Sequence, residues 1–79
     1  MLNKTNRKLY RSLRGEYKRY ARRLTDTLSH CCRGKAAVND SLSDVFTMLA
    51  EAQGAHRAFA DVIPDPHASI RETALCFPA

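Results

Sequence analysis

The stretch from about Thr5 to Cys32 constrains this chain more than any other, because apolar and cationic residues alternate along it at the period of an α-helix. Leu9, Tyr10, Leu13, Tyr17, Tyr20, Ala21, Leu24, Leu28 and Cys31 recur by threes and fours, as a stripe along one side of a 3.6-residue repeat must. Lys4, Arg7, Arg11, Arg14, Lys18 and Arg22 fall in a separate sector of the same helix. A helix divided in this way does not stand alone in water, since its Leu and Tyr stripe needs a partner surface. Gly15 interrupts the stretch at a cost of about 1 kcal/mol relative to Ala. The apolar phase is unbroken across it, which predicts one continuous helix rather than a bend or a split into a short arm and a longer piece. Asn3 or Thr5 supplies the N-cap, and Gly34 suits a left-handed C-cap after Cys32.

The rest of the chain is patterned to cover that stripe. Lys35 to Ser41 reads as a connection, with Ala36-Ala37-Val38 able to extend the next helix backwards. Ser41-Leu42-Ser43-Asp44 resembles a capping box with Asp in place of Glu, and Asn39 is a competing cap. Leu42, Val45, Phe46, Leu49 and Gln53 then fall at i, i+3, i+4, i+7 and i+11, with Gly54 closing the helix. This helix is the natural antiparallel partner of the first. Ala55 to Ile63 holds Phe59, Val62 and Ile63 and reads as a short helical turn that Pro64 stops. Asp65-Pro66 starts a final short helix, with Asp as N-cap and Pro at the first helical position. Ile70, Ala74 and Phe77 line one face of it before Pro78. Strand-like alternation is absent throughout.

These signals predict an all-α fold in a single helical domain over residues 1–79. It is a small bundle of two main antiparallel amphipathic helices plus two short C-terminal ones. Its expected core is Leu13, Tyr17, Tyr20, Leu24, Leu28, Val45, Phe46, Leu49, Phe59, Val62 and Ile70. A chain of 79 residues buries only about 60–65% of its unfolded surface, so stability is marginal or helped by self-association.

Charge is distributed unevenly. Residues 1–24 hold nine Lys/Arg against Glu16 alone, a local +8, while residues 25–79 hold four basic and seven acidic groups, a local −3, which together give the net +5. Such asymmetry points to an anionic partner: nucleic acid, a membrane surface or an acidic protein. The plainer reading is a solvated face that keeps the chain soluble. No apolar run approaches the ~18–20 residues that cross a bilayer, and Met1-Leu2-Asn3-Lys4 opens no signal-peptide core. The expected location is the cytoplasm. Lipid insertion of the first helix would need the same Tyr/Leu stripe that closes the fold.

Residues for catalysis or metal binding do not assemble. His30, His56 and His67 lie in three different predicted elements. Ser29 and His30 are consecutive, and so point about 100° apart on a helix, which is poor geometry for a nucleophile and its base. Asp40 and Asp44 share a helix face but sit where helix N-termini ordinarily favour acids. Three glycines make no phosphate loop. Cys31, Cys32 and Cys76 are an odd count without a C-x-x-C, which predicts reduced structural thiols rather than a zinc site or a disulfide. No enzyme, cofactor or metal is expected. Ala50 to Ile63 has the outline of a helix-turn-helix, but its second helix offers only His56 and Arg57 for contacts and is cut short by Pro64. Nucleic-acid binding, if any, falls instead to phosphate contacts from the first helix.

The run Leu42 to Gly54 resembles the "LL.EI...LLEAQ..G" helix of the HAAS-type alpha-helical domains. Phe59-Ala60-Asp61-Val62-Ile63-Pro64-Asp65-Pro66 is similar to their "AEDVFGDDP" turn, Ile70 to Leu75 falls at their last helix, and Asn3 to Tyr10 resembles their "LTKENRKYY" opening. A related group of small helical domains of unknown function, also encoded beside PadR-type regulators, is similar to the same degree. The resemblance implies a cytosolic helical module working with a PadR-like repressor in bacteria, often fused ahead of transmembrane segments. This chain departs from it around Gly54 to Arg57 and in its more basic opening helix. Without a following membrane segment, the expectation is a free-standing member or an excised domain. The expected function is protein–protein interaction in bacterial regulation or signalling, with a homo-oligomer open. The alternative is a small basic nucleic-acid-binding protein. In either case the candidate anionic-partner face is Lys4, Arg7, Arg11, Arg14, Lys18 and Arg22.

Overall fold

The computed structural model describes residues 2–31 and 35–75. Five helices follow one another: α1 (Lys4–Ser12), α2 (Gly15–Cys31), α3 (Lys35–Gly54), α4 (Phe59–Val62) and α5 (Pro66–Leu75). No strand occurs among the described residues, and the all-α class is as expected.

The first departure from expectation lies at Gly15. The predicted continuous helix is two helices, separated by Leu13 in extended backbone (φ −76°, ψ 151°) and by Gly15 at φ +55°. One side chain holds the break open. The Gln53 Nε2 of α3 donates to the Ser12 carbonyl at 2.8 Å, and the backbone N–H of Arg14 donates to Gln53 Oε1 at 2.6 Å. A single amide thus pairs a carbonyl at the end of α1 and an N–H at the start of α2, two groups that helix ends leave without intrahelical partners. The apolar phase persisted in the sequence because each half packs inward on its own account. Periodicity reports which side is buried, not whether the backbone is continuous.

The break also changes the topology. Asn3 and Asn6 meet Asn39, Tyr10 meets Phe46, and Ser12 meets Gln53, so α1 runs parallel to α3. Helix α2 begins beside the end of α3, where the Tyr17 hydroxyl donates to the Arg57 carbonyl at 2.7 Å, and returns antiparallel. The expected antiparallel pairing therefore holds for α2 alone.

Helix α3 starts earlier than the capping signals suggested. Ser41 and Asn39 lie inside it, and the Ala36-Ala37-Val38 extension is realised, burying Val38. Asn39 turns its side chain to another helix. Its Oδ1 accepts from the Asn3 N–H at 2.9 Å and from Asn6 Nδ2 at 3.1 Å, while its carbonyl accepts from Asn6 Nδ2 at 2.8 Å. Asn3 caps α1 as expected, accepting from the Asn6 N–H at 2.8 Å. Asn6 is fully buried, and its Oδ1 has no partner. An orphaned buried acceptor costs about 1–3 kcal/mol.

Gly54 is the last residue of α3, but the left-handed cap is His56, at φ +58°. The Arg57 N–H donates to the Ala52 carbonyl and the His56 N–H to the Gln53 carbonyl, both at 3.0 Å. These are the paired bonds of a Schellman motif with His56 at C′. Asp65 caps α5 as expected, its Oδ1 accepting from the Ala68 N–H at 3.2 Å.

The core comprises Leu13, Tyr17, Tyr20, Ala21, Leu24, Leu28, Val38, Leu42, Phe46, Leu49, Ala52, Ile63 and Ile70. Val45, Phe59 and Val62, expected inside, are half-buried against it. Phe59 stands edge-on to Tyr17 (5.3 Å, 87°) and tilted to Tyr20 (5.7 Å). The side chains of Cys31, Cys32 and Cys76, together with Phe77 and the Gly34 cap, lie outside the described residues.

Candidate anionic-partner face

With the stripes of α1 and α2 committed to the core, their remaining surface is cationic. Lys4, Arg7 and Arg11 stand exposed on α1, Arg14 is exposed at the junction, and Arg22 is exposed on α2. Lys18 is half-buried, its Nζ 5.2 Å from the centre of the Tyr10 ring, within cation–π range. Because the helix is broken, the six predicted cations do not form one ladder. They form an α1 group and an α2 group. Arg7 and Arg22 are brought together across a hollow that Leu2, Tyr10, Thr25 and Asp26 also line. Arg7 turns back on its own helix start, Nη2 donating to the Leu2 carbonyl at 3.4 Å.

Three further cations belong to this surface and were missed in the sequence: Lys8 on α1 and Arg19 and Arg23 on α2, all exposed. Treating Thr5 to Cys32 as one wheel hid them. On α2 alone, Arg19 and Arg23 are an i, i+4 pair flanking the buried Tyr20, and that spacing was the available signal. Among the described residues no Lys or Arg is paired with a carboxylate. Like charges at i, i+4, as at Arg7–Arg11, Lys18–Arg22 and Arg19–Arg23, each cost a few tenths of a kcal/mol. At a Debye length of about 10 Å in 0.1 M salt, neighbours within two turns act together on an approaching anion.

A second hollow lies on the other side of α2. Arg19, Arg22, Arg23 and Glu16 form one lip, and Tyr20, Phe59 and Pro66 form an apolar floor. It continues past Arg23 into a hollow lined by Asp26, Thr27, His67 and Ile70. Tyr20 is fixed there by its hydroxyl, 2.7 Å from Ser69 Oγ.

The residues considered for chemistry remain apart. His30 is exposed, its Nδ1 2.7 Å from the Asp26 carbonyl, His56 is the helix cap and His67 lies on α5. Asp40 and Asp44 are exposed on the outer side of α3. No group of three or more His, Cys, Asp or Glu among the described residues is placed to hold a metal ion. The outline of a helix-turn-helix contains, after α3, only the four residues of α4, too short to read a groove. No described helix is long and apolar enough to cross a membrane. Comparison with protein-family models, curated proteins and solved structures gave no match to this chain.

Proposed function

We propose that this chain is a non-catalytic helical module that binds an acidic protein surface through α1 and α2. It works in bacterial regulation or signalling in the cytoplasm. The observation that carries the reading is the division of labour on these two helices. Every large apolar side chain of α2 is consumed by the core, while its arginines and those of α1 are exposed and have no carboxylate partner among the described residues. The fold bears the mutual repulsion of these cations, and an anionic partner relieves it. The reading also draws on the likeness of Leu42 to Gly54 and of Phe59 to Pro66 to HAAS-type and PadR-associated domains. On that likeness the partner is a PadR-like regulator. Homo-oligomers are compatible with the same surface.

Nucleic acid is the second reading, favoured by the same exposed cations. Against it, the cations are divided between two helices instead of following a single phosphate track, and Glu16 and Asp26 stand among those of α2. Two measurements decide. The first is co-purification with a PadR-like regulator encoded nearby, expected to succeed with the wild type and to fail with the triple variant Lys4→Glu/Arg7→Glu/Arg11→Glu. The second is titration with duplex DNA at about 50 and 200 mM salt, where six or more phosphate contacts weaken binding roughly 10³-fold or more. Salt-sensitive DNA binding without a protein complex overturns the proposal.

A further inference from the structure

The seam between α2 and the α4–α5 segment is a groove of defined polarity. Its α2 lip runs from Glu16 to Thr27, about 16 Å at 1.5 Å per residue, the length of three helical turns. Its floor is Tyr20, Phe59, Pro66 and Ile70. Arg19, Arg22 and Arg23 crowd the middle of the α2 lip, while the α5 side contributes Pro66, His67 and Ile70. Glu16 and Asp26 stand at the two ends, ten residues apart.

We propose that this groove binds an acidic amphipathic helix from a partner protein. The helix lays an i, i+3, i+7 apolar stripe on the aromatic floor and sets Asp or Glu side chains against Arg19, Arg22 and Arg23. The assignment rests on the protein-binding reading above and specifies the partner's chemistry. Charge complementarity selects the occupant. Three guanidiniums on one lip demand carboxylates on one flank of the ligand, where each forms a two-pronged pair. Glu16 and Asp26 repel acids at the ends, so the ligand's negative charge belongs in its central turn. The apolar floor distinguishes this ligand from a nucleic acid, whose phosphates leave that floor uncovered. Tyr20 and Ile70 are only 4% and 8% exposed, so the ligand's apolar side chains meet chiefly the half-buried Phe59 and Pro66. A recessed floor is equally out of reach of a bilayer surface. Laying an amphipathic helix into a groove is an established mode of peptide recognition.

The probe is a helix-forming peptide of about fourteen residues with Leu at i, i+3 and i+7 and three Glu on one flank of its middle turn. It is titrated into the isotope-labelled full chain and followed by amide shifts. Binding is expected to move the amides of Arg19–Arg23, Phe59 and His67–Ile70. Affinity is expected to fall tenfold or more when Glu is replaced by Lys, when Leu is replaced by Ser, or when the Glu residues are moved to the peptide ends. Arg19→Gln/Arg23→Gln, which alters only exposed side chains, is expected to lose tenfold or more with unchanged amide dispersion elsewhere. Lys4→Glu/Arg7→Glu/Arg11→Glu is expected to retain binding. The assignment is overturned if the wild type ignores the peptide, if the end-charged peptide binds as well, or if duplex DNA or anionic vesicles shift the same amides more strongly. Failure of the peptide with the regulator complex intact removes the groove assignment alone, whereas absence of both removes the protein-binding reading as well.

Discussion

Replacing Gln53 by Ala tests the account of how the first two helices are joined. The substitution deletes one donor and one acceptor, those that pair the Ser12 carbonyl and the Arg14 N–H. A hydrogen bond of this kind contributes about 0.5–1.5 kcal/mol net. Both sit at the surface, where water re-pairs the freed groups, so the expected loss is about 1–2 kcal/mol in all. For a domain of this size that lowers Tm by roughly 4–16 °C. Gln53→Glu separates the two bonds. It keeps an acceptor for the Arg14 N–H but sets a carboxylate against the Ser12 carbonyl, so its loss comes from the α1 end alone, and Arg14 nearby offsets part of it. Gly15→Ala completes the set. No atom stands within 4 Å of where its Cβ would be, so its cost is the backbone conformation at φ +55°, about 1–2 kcal/mol. If Gln53 holds the junction open, that cost shrinks in the Gln53→Ala background, where residues 12–15 are freer to turn helical. Thermal and urea melts of the two single variants and their double give the coupling. A Gln53→Ala Tm within about 2 °C of wild type, or strict additivity with Gly15→Ala, refutes the clamp.

Leu24→Ala and Phe46→Ala remove fully buried side chains and are each expected to cost about 2–5 kcal/mol, most or all of the stability of so small a chain, as read by far-UV circular dichroism on heating. Asn39→Ala is expected to destabilise more than Asn6→Ala in urea melts. The first strands the Asn3 N–H and leaves Asn6 Nδ2 with the Asn39 carbonyl alone, while the second also removes an acceptor that is already unpaired. The reverse order contradicts the buried amide pair. His56→Gly is expected to raise stability by about 0.5–1 kcal/mol, because glycine adopts φ +58° without strain while adding some freedom to the unfolded chain. An unchanged or lower Tm counts against the left-handed cap.

What could be read in the sequence was local. Asp65-Pro66 announces α5 because cap and first-turn proline act within one turn. The stripe from Leu13 to Leu28 names its core partners because burial imprints period on composition. Two of the three features that escaped are set by partners far along the chain. The break at Leu13–Arg14 depends on Gln53, some forty residues away. Asn39 reads as a cap by its own neighbours, and only the presence of Asn3 and Asn6 recruits it to a tertiary role. The third is local: His56, two residues after the more obvious Gly54, adopts a glycine's conformation, and the bonds that close the cap run to Gln53 and Ala52. The candidate face followed the same rule. Five of its six cations are exposed and Lys18 is half-buried, but their grouping depended on a helix boundary that the periodicity did not mark, and Arg19 and Arg23 were lost with it.

The phenol anchors of α2 have a practical consequence. The chain contains three tyrosines and no tryptophan, and two of those tyrosines bridge α2 to the segment beyond α3, through the Arg57 carbonyl and Ser69 Oγ. Its near-ultraviolet signal is therefore dominated by the two rings that sense whether the C-terminal third is seated. Detachment of that third while α1, α2 and α3 remain folded would show as a change in tyrosine emission preceding any loss of helical ellipticity. The protein is thus equipped with an intrinsic optical gauge of its own partial opening.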